Sequence, residues 1–388
     1  MKKALVLLAI GTLVLGACQK DPQKDTPSKD SELTGEKVDV SGISKDVKKI
    51  FVLNEGGMGS NNATLDFLRI SDGSYITGAF KKMNPDAAAG LGDVGNDIVI
   101  IGDEAWITVN NSGIVEVISA KDETEIAAIQ IATPRNIAFD DKYAYVSSWA
   151  GAYATYSYDP STGYSTISDY KNPKGQVYRI NLKTKKVEGK VEVGYQPEGL
   201  AVSNGKLYVA NSGGISSQLP PNYAYDNTVS VIDTKTFKVE KTITAVVNLK
   251  YVYVDKTGKI YVTTLGNYYD VHSGLYVING EKVAKVADYV SVSASDGDAI
   301  YFVGTDSEYD WAATSHEYKA YSVKNGTKTE ITLPVSGTPY GLAAIDSSTF
   351  LVADAGDYFN PGTVSCYSNG TKAWTVTAGV CPGHFAIY

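Results

Sequence analysis

One short strand pattern recurs seven times along this chain: a small or apolar residue, then an aromatic, then a valine-like residue. The copies are Ile50-Phe51-Val52, Ala105-Trp106-Ile107, Ala144-Tyr145-Val146, Leu207-Tyr208-Val209, Ile260-Tyr261-Val262, Ile300-Tyr301-Phe302 and Phe350-Leu351-Val352, the last with leucine in the aromatic place. Their spacing of roughly 40 to 60 residues leaves room in each repeat for about four short strands and their turns. No segment sustains a helical period. The expected class is therefore all-β, a seven-bladed β-propeller. The recurring aromatic is expected to pack between neighbouring blades rather than to face a ligand.

The surroundings of each copy support this. A Pro-x-Gly-apolar-Ala element precedes it at Pro197 to Ala201 and Pro339 to Ala343, and Pro134 to Ala138 is close to it. Tight polar turns such as Ser203-Asn204-Gly205-Lys206, Lys324-Asn325-Gly326-Thr327 and Ser368-Asn369-Gly370-Thr371 read as hairpin turns. The first copy, at Phe51, has no Pro-x-Gly strand before it, whereas the chain finishes on Pro382-Gly383-His384-Phe385-Ala386-Ile387-Tyr388 with nothing after it. The last strand is thus expected to pair into the first blade and close the ring, which removes the free sheet edges.

Ahead of the repeats, Lys2 and Lys3 precede a short apolar run, Ala4 to Leu15, and then Leu15-Gly16-Ala17-Cys18. That run is too short to span a bilayer. The small pair before a cysteine resembles the lipobox of bacterial lipoproteins, so residues 1–17 are expected to be a signal peptide and Cys18 the lipidated N-terminus. Residues 18–46 are rich in Lys, Asp, Ser and Pro and are expected to form a flexible tether of about 30 Å r.m.s. reach. Residues 47–388 form the expected propeller.

A formal charge of −8 and a pI near 5.1 argue against a nucleic-acid partner. No metal-ligand spacing, Gly-x-Ser-x-Gly elbow or phosphate-cradling loop is present, so no catalytic residue, metal or cofactor is expected. Cys366 falls opposite about Trp374 across its hairpin, which places Cys381 too far along to bridge; two buried, unpaired thiols are expected. The unusual residues are the 28 tyrosines against 9 phenylalanines. Many lie in loops that leave the second strand or enter the first strand of a blade, and all such loops open on one propeller face. Tyrosine and tryptophan offer broad apolar surfaces with a polar tip, which suits recognition. The expected ligand contacts are Asn54, Arg135, Trp149, Tyr195, Asn211, Tyr223, Tyr268, Tyr269, Asp270, Trp311, Asp354 and Tyr358. Glu198, Tyr340 and His384 enter the same face, and Asn54, Ser148, Asn211, Thr264 and Asp354 are expected to ring the channel mouth.

The repeat pattern, the lipobox and the segment Phe51-Val52-Leu53-Asn54-Glu55-Gly56-Gly57 resemble the YncE-like, surface-layer-type propeller lipoproteins of Bacteroidetes. That family includes the BtuG type, which capture vitamin B12 and pass it to a TonB-dependent, BtuB-like outer-membrane transporter. The resemblance implies a non-enzymatic surface protein, lipid-anchored in the outer membrane, with a corrinoid (cobalamin) as ligand and that transporter as partner. The same aromatic surface also suits stacked sugars, so a glycan-binding or adhesion propeller is the alternative expectation.

Overall fold

The computed structural model describes residues 29–87, 90–161, 163–219, 224–307 and 316–388. Within them the chain builds seven small antiparallel sheets around one axis, each counted here as a blade. From axis to rim, blade 4 runs Pro197–Ser203, Lys206–Asn211, Thr228–Asp233 and Lys238–Thr244, and blade 7 runs Pro339–Ala344, Thr349–Asp354, Pro361–Ser368 and Thr371–Val380. The other blades repeat this order. Their inner strands are Gly95–Ile101 in blade 2, Pro134–Phe139 in blade 3, Leu249–Val254 in blade 5 and Val290–Ser295 in blade 6. Blade 1 takes its inner strand from the other end of the chain. Pro382–Ile387 pairs antiparallel with Lys49–Asn54, in a register that runs from Ile50 opposite Ile387 to Asn54 opposite Pro382.

One backbone contact repeats in every blade. The residue just past the second strand donates its N–H to the carbonyl of the residue just before the inner strand. Glu55 bonds Cys381, Asn110 bonds Val94, Trp149 bonds Thr133, Ser212 bonds Gln196, Leu265 bonds Asn248, Thr305 bonds Tyr289 and Ala355 bonds Thr338, at 2.7–3.2 Å. The closing blade obeys the same geometry as the six contiguous ones, so closure adds no irregularity. Six of these carbonyl residues have positive φ, from 41° at Gln196 to 63° at Val94. The chain must reverse there from the rim of one blade to the axis of the next, and it does so even at β-branched Val94 and Thr133, where this conformation is strained.

The core is divided into seven clusters, one at each junction between blades, and the repeating aromatic sits in them. Phe51 packs toward Ile98 and Ile107, Trp106 toward Ile137 and Val146, and Tyr145 toward Leu200 and Val209. Tyr261 meets Ile300 and Phe302, Tyr301 meets Phe350, and Leu351 packs with Ile50 and Val52 across the closure. Trp106, Tyr145 and Tyr261 expose none of their surface. These aromatics hold blades together and leave function to the loops.

The N-terminal segment differs from the sequence expectation. Part of residues 18–46 lies on the propeller: Glu36–Lys37 adds a fifth strand to blade 1, Trp374 Nε1 donates to Asp39 O at 2.9 Å, and Ile43 is buried between blades 1 and 7. Composition averaged this stretch with the polar residues before it. Leu33, Val38, Val40 and Ile43 are the apolar residues here that meet the core, separated by only one to four polar or glycine residues. Cys366 does stand opposite Trp374, and Cys366 and Cys381 are buried and unpaired.

Candidate ligand-binding face

The inner strands decide the shape of the face. Blades 4 and 7 carry glycine at the third position of the Pro-x-Gly element because the next blade comes very close. A Cβ on Gly199 would stand 2.6 Å from the Lys250 carbonyl oxygen, and one on Gly341 would stand 2.7 Å from that of Gly383. In blade 5 Leu249-Lys250-Tyr251 stands in place of the element, so a phenol ring occupies the position that blades 4 and 7 leave bare and blade 6 fills with Val292. The inner strands of blades 5 and 6 accordingly line a cleft. Tyr253, two residues on, bridges the seam below by donating to Ser293 O at 3.0 Å.

Two adjoining cavities open onto the face, one over that seam and the other over blades 3 to 5. The first, about 470 Å³, is walled by Tyr251, Tyr268, Tyr289, Tyr318, Tyr340 and Tyr358, with Glu55, His272 and His384 among its polar groups. The second, about 340 Å³, is walled by Arg135, Trp149, Glu198, Gln218 and Tyr225. Lys250, Leu265 and Tyr268 belong to both. Both sizes fall in the range of small-molecule sites. Below them a narrower channel of about 260 Å³ runs along the axis past Asp97 and Asn136.

Two charged clusters stiffen the rim. Glu55 accepts a hydrogen bond from Tyr340 at 2.7 Å and lies 3.0 Å from His384 Nε2. Burial pushes its carboxyl up, but His384, the Tyr340 hydroxyl and the Lys250 charge together outweigh burial and hold Glu55 below its ordinary value. Burial and the Glu55 charge in turn hold the Tyr340 hydroxyl well above the usual phenol range, so it remains a donor. On the opposite side Glu198 accepts from Arg135 Nε at 3.0 Å and from Trp149 Nε1 at 3.1 Å, and the Arg135 guanidinium lies 4.4 Å from the Trp149 ring centroid. Every partner in these clusters is pre-placed, so a ligand meets a rigid surface. Asp97, buried beside the channel, has its carboxyl raised by burial, against hydrogen bonds from Ile137 and Ile98.

Of the residues expected from sequence, Arg135, Trp149, Tyr268 and Tyr358 line the two cavities. Tyr269, 85% exposed, and Asp270, bonded by Asn267 at 2.7 Å, sit on the outer tip of the same loop. Tyr195 lies under the Lys174 ammonium and outside both cavities. Tyr223 and Trp311, like Cys18, lie outside the described residues. Asn54, Asn211 and Asp354 belong to the frame instead. Asn54 is fully buried and joins Thr64 to Gly379; Asn211, equally buried, bonds Thr228 and Ser230; Asp354 accepts from Thr338 N and Gly356 N. A polar residue at a strand end has backbone donors and hydroxyls within reach and satisfies those first. Ser148 and Thr264 do the same. Sequence reasoning missed Glu55, Lys250, Tyr251 and Tyr289. The departure of residues 249–251 from the Pro-x-Gly element was a signal for Lys250 and Tyr251 only, and blades 2 and 6 depart from it too, at Gly95-Asn96-Asp97 and Val290-Ser291-Val292.

From the rim of the second cavity a two-stranded hairpin, Tyr153–Asp159 with Tyr164–Lys171, projects from blade 3. Its register puts Tyr156, Tyr158, Ile167 and Tyr170 on one face, all of them substantially exposed. Tyr156 donates to Gln218, which ties that face to the cavity wall.

Among the described residues no group of three His, Cys, Asp or Glu side chains is placed to hold a metal ion, and no helix is long and apolar enough to cross a membrane. The fold and this face define the class: the chain is a seven-bladed β-propeller. It is similar to hydrazine synthase of Kuenenia stuttgartiensis, at 14% identity and a TM-score of 0.55, over 75% of this chain and 88% of that one. It is also similar to the Pan2 WD40 domain of Neurospora crassa, at 11% identity and a TM-score of 0.49, over 74% of this chain and 79% of that one. At such identities the likeness is one of fold alone. No family model matches the chain, and no curated protein matches it.

Proposed function

We propose that this chain is a lipid-anchored surface protein that binds a corrinoid in the cleft over blades 3 to 7 and the closing strand of blade 1, and passes it to a TonB-dependent outer-membrane transporter. The observation that carries the reading is the pair of adjoining cavities, walled by six tyrosines on one side and by Trp149 on the other. A corrinoid presents apolar edges between amide side chains. Phenol faces suit the edges, and phenol hydroxyls, Gln218 and Thr338 suit the amides. The lipobox at Cys18 supports the anchor, and the family resemblance supports the transporter partner.

Calorimetric titration of the purified chain with cyanocobalamin tests this directly. Saturable binding is expected, and an absence of heat and of any spectral change at high concentration would remove the corrinoid. A glycan ligand is the second reading, favoured by the exposed tyrosine face of the blade 3 hairpin, since sugar rings stack on such platforms. Binding of the chain to a glycan array, lost when Tyr156 and Tyr158 become alanine, would select it.

A further inference from the structure

We infer that the cleft contains a dedicated oxyanion subsite at Lys250, and hence that its ligand carries a phosphate or carboxylate on the edge that enters between blades 5 and 6. Lys250 lines both cavities of the face and the channel beneath them. Its ammonium has no hydrogen bond and no ion pair among the described residues; it lies 5.2 Å from the Tyr251 ring centroid, and its charge acts at longer range on Glu55 and Tyr268. The carboxylates on either side have hydrogen-bonding partners of their own. Glu55 faces His384 and accepts from Tyr340, and Glu198 is held by Arg135 at 3.0 Å with Trp149 as a second donor.

A half-buried ammonium beside two acids ordinarily pairs with one of them. Here the frame gives each acid another hydrogen-bonding partner, which leaves the Lys250 ammonium with its donors free at the meeting point of the aromatic walls. Low-polarity walls strengthen a charge-assisted hydrogen bond at such a point. Lys250 also occupies a position that the other blades fill differently: Asn96, Arg135, Glu198, Ser291, Tyr340 and Gly383 stand there in turn. The blade scaffold therefore does not need a lysine at this place. The inference does not depend on the corrinoid reading; for a corrinoid the group would be the phosphodiester of the nucleotide loop.

The test titrates the full chain with three single-ring probes, phenyl phosphate, benzoate and neutral benzyl alcohol, following tyrosine absorbance. The wild type is expected to bind at least one of the anions more tightly than benzyl alcohol. Phenyl phosphate or benzoate as the tighter of the two identifies phosphate or carboxylate as the ligand group. Lys250→Met should weaken the anion about 10- to 100-fold, the range of a hydrogen bond to a charged group, and leave benzyl alcohol unchanged, while Lys250→Arg keeps most of the affinity. Circular dichroism with a melting curve on each variant confirms that the ring is intact. Anions that bind no better than benzyl alcohol, or equally well to Lys250→Met, overturn the subsite. Cyanocobalamin titrated into the same samples reports on the corrinoid separately: its failure beside Lys250-dependent anion binding would remove the corrinoid and retain the subsite.

Discussion

Glu116 makes the stability of this propeller depend on pH in an unusual direction. It sits on the third strand of blade 2 between Ile114 and Ile118, on the face that packs against blade 1. It is 3% exposed, and its Oε1 has no hydrogen-bond partner. Burial, with a smaller push from the Glu125 charge, raises its carboxyl to about 8 from an ordinary 4.5. The folded chain therefore holds a proton that the unfolded chain releases between those two values. Stability contributed by the neutral acid is complete below the unfolded value and is lost as pH rises, until the loss levels off above the folded value. Each pH unit inside the window costs about 1.4 kcal/mol. Between pH 5 and 7 the loss is about 2–3 kcal/mol, and Glu116→Gln should abolish it, because an amide of the same shape does not titrate. Urea unfolding of both proteins at half-unit pH steps separates this group from all others, which the two proteins share. Parallel stability profiles for wild type and Glu116→Gln would refute the assignment.

Lys49 and Glu123 form a buried pair at 2.6 Å, with Glu123 fully enclosed, so Lys49→Met should cost about 3–5 kcal/mol, and adding Glu123→Gln should recover much of that in the same urea assay. A single-variant loss under about 1 kcal/mol would mean that water reaches the pair. Removal of residues 381–388 strips the inner strand of blade 1 and bares the edge of Lys49–Asn54, so aggregation or oligomers are expected on size exclusion, and a cooperative monomer would contradict closure by this strand. Trp149→Ala and Tyr268→Ala should each weaken cyanocobalamin about tenfold, with little change in melting temperature for exposed Tyr268. Asn211→Ala should do the reverse, lowering the melting temperature through the lost Thr228 and Ser230 bonds.

The seven-fold repeat and its closure were legible in the sequence because both are local patterns multiplied. An alternating strand with an aromatic at a fixed place buries that ring where the blade packs: Trp106, Tyr145 and Tyr261 are fully buried, and Tyr208 of blade 4 is partly so. The terminal Pro382-Gly383 element could be matched to the missing first strand for the same reason: each blade needs one. The gathering of long tyrosine-bearing loops on one face followed from strand direction, and Trp149, Tyr268, Tyr340 and Tyr358 share the cleft rim. What went unread depends on partners far apart in the chain. Whether Asn54 or Asn211 faces a ligand or the frame is decided by hydroxyls and amides that folding brings to it, and burial makes leaving those bonds unmade costly. The docking of residues 33–43 onto blades 1 and 7 required a groove that only the assembled ring supplies.

The sequence by itself determined how many blades form, how the ring closes and which loops share a face, since strand periodicity, turn residues and the order of repeats are properties of the chain alone. Only the tertiary structure decided where the face opens. Tyr251 stands where blades 4 and 7 carry glycine, and that it walls the cavity over blades 5 and 6 appears only when the inner strands are brought side by side. The charge at its centre follows the same logic. Glu55 and Glu198 are ordinary acids until folding sets His384 and Arg135 against them, and Lys250 becomes the available cation only through that pairing.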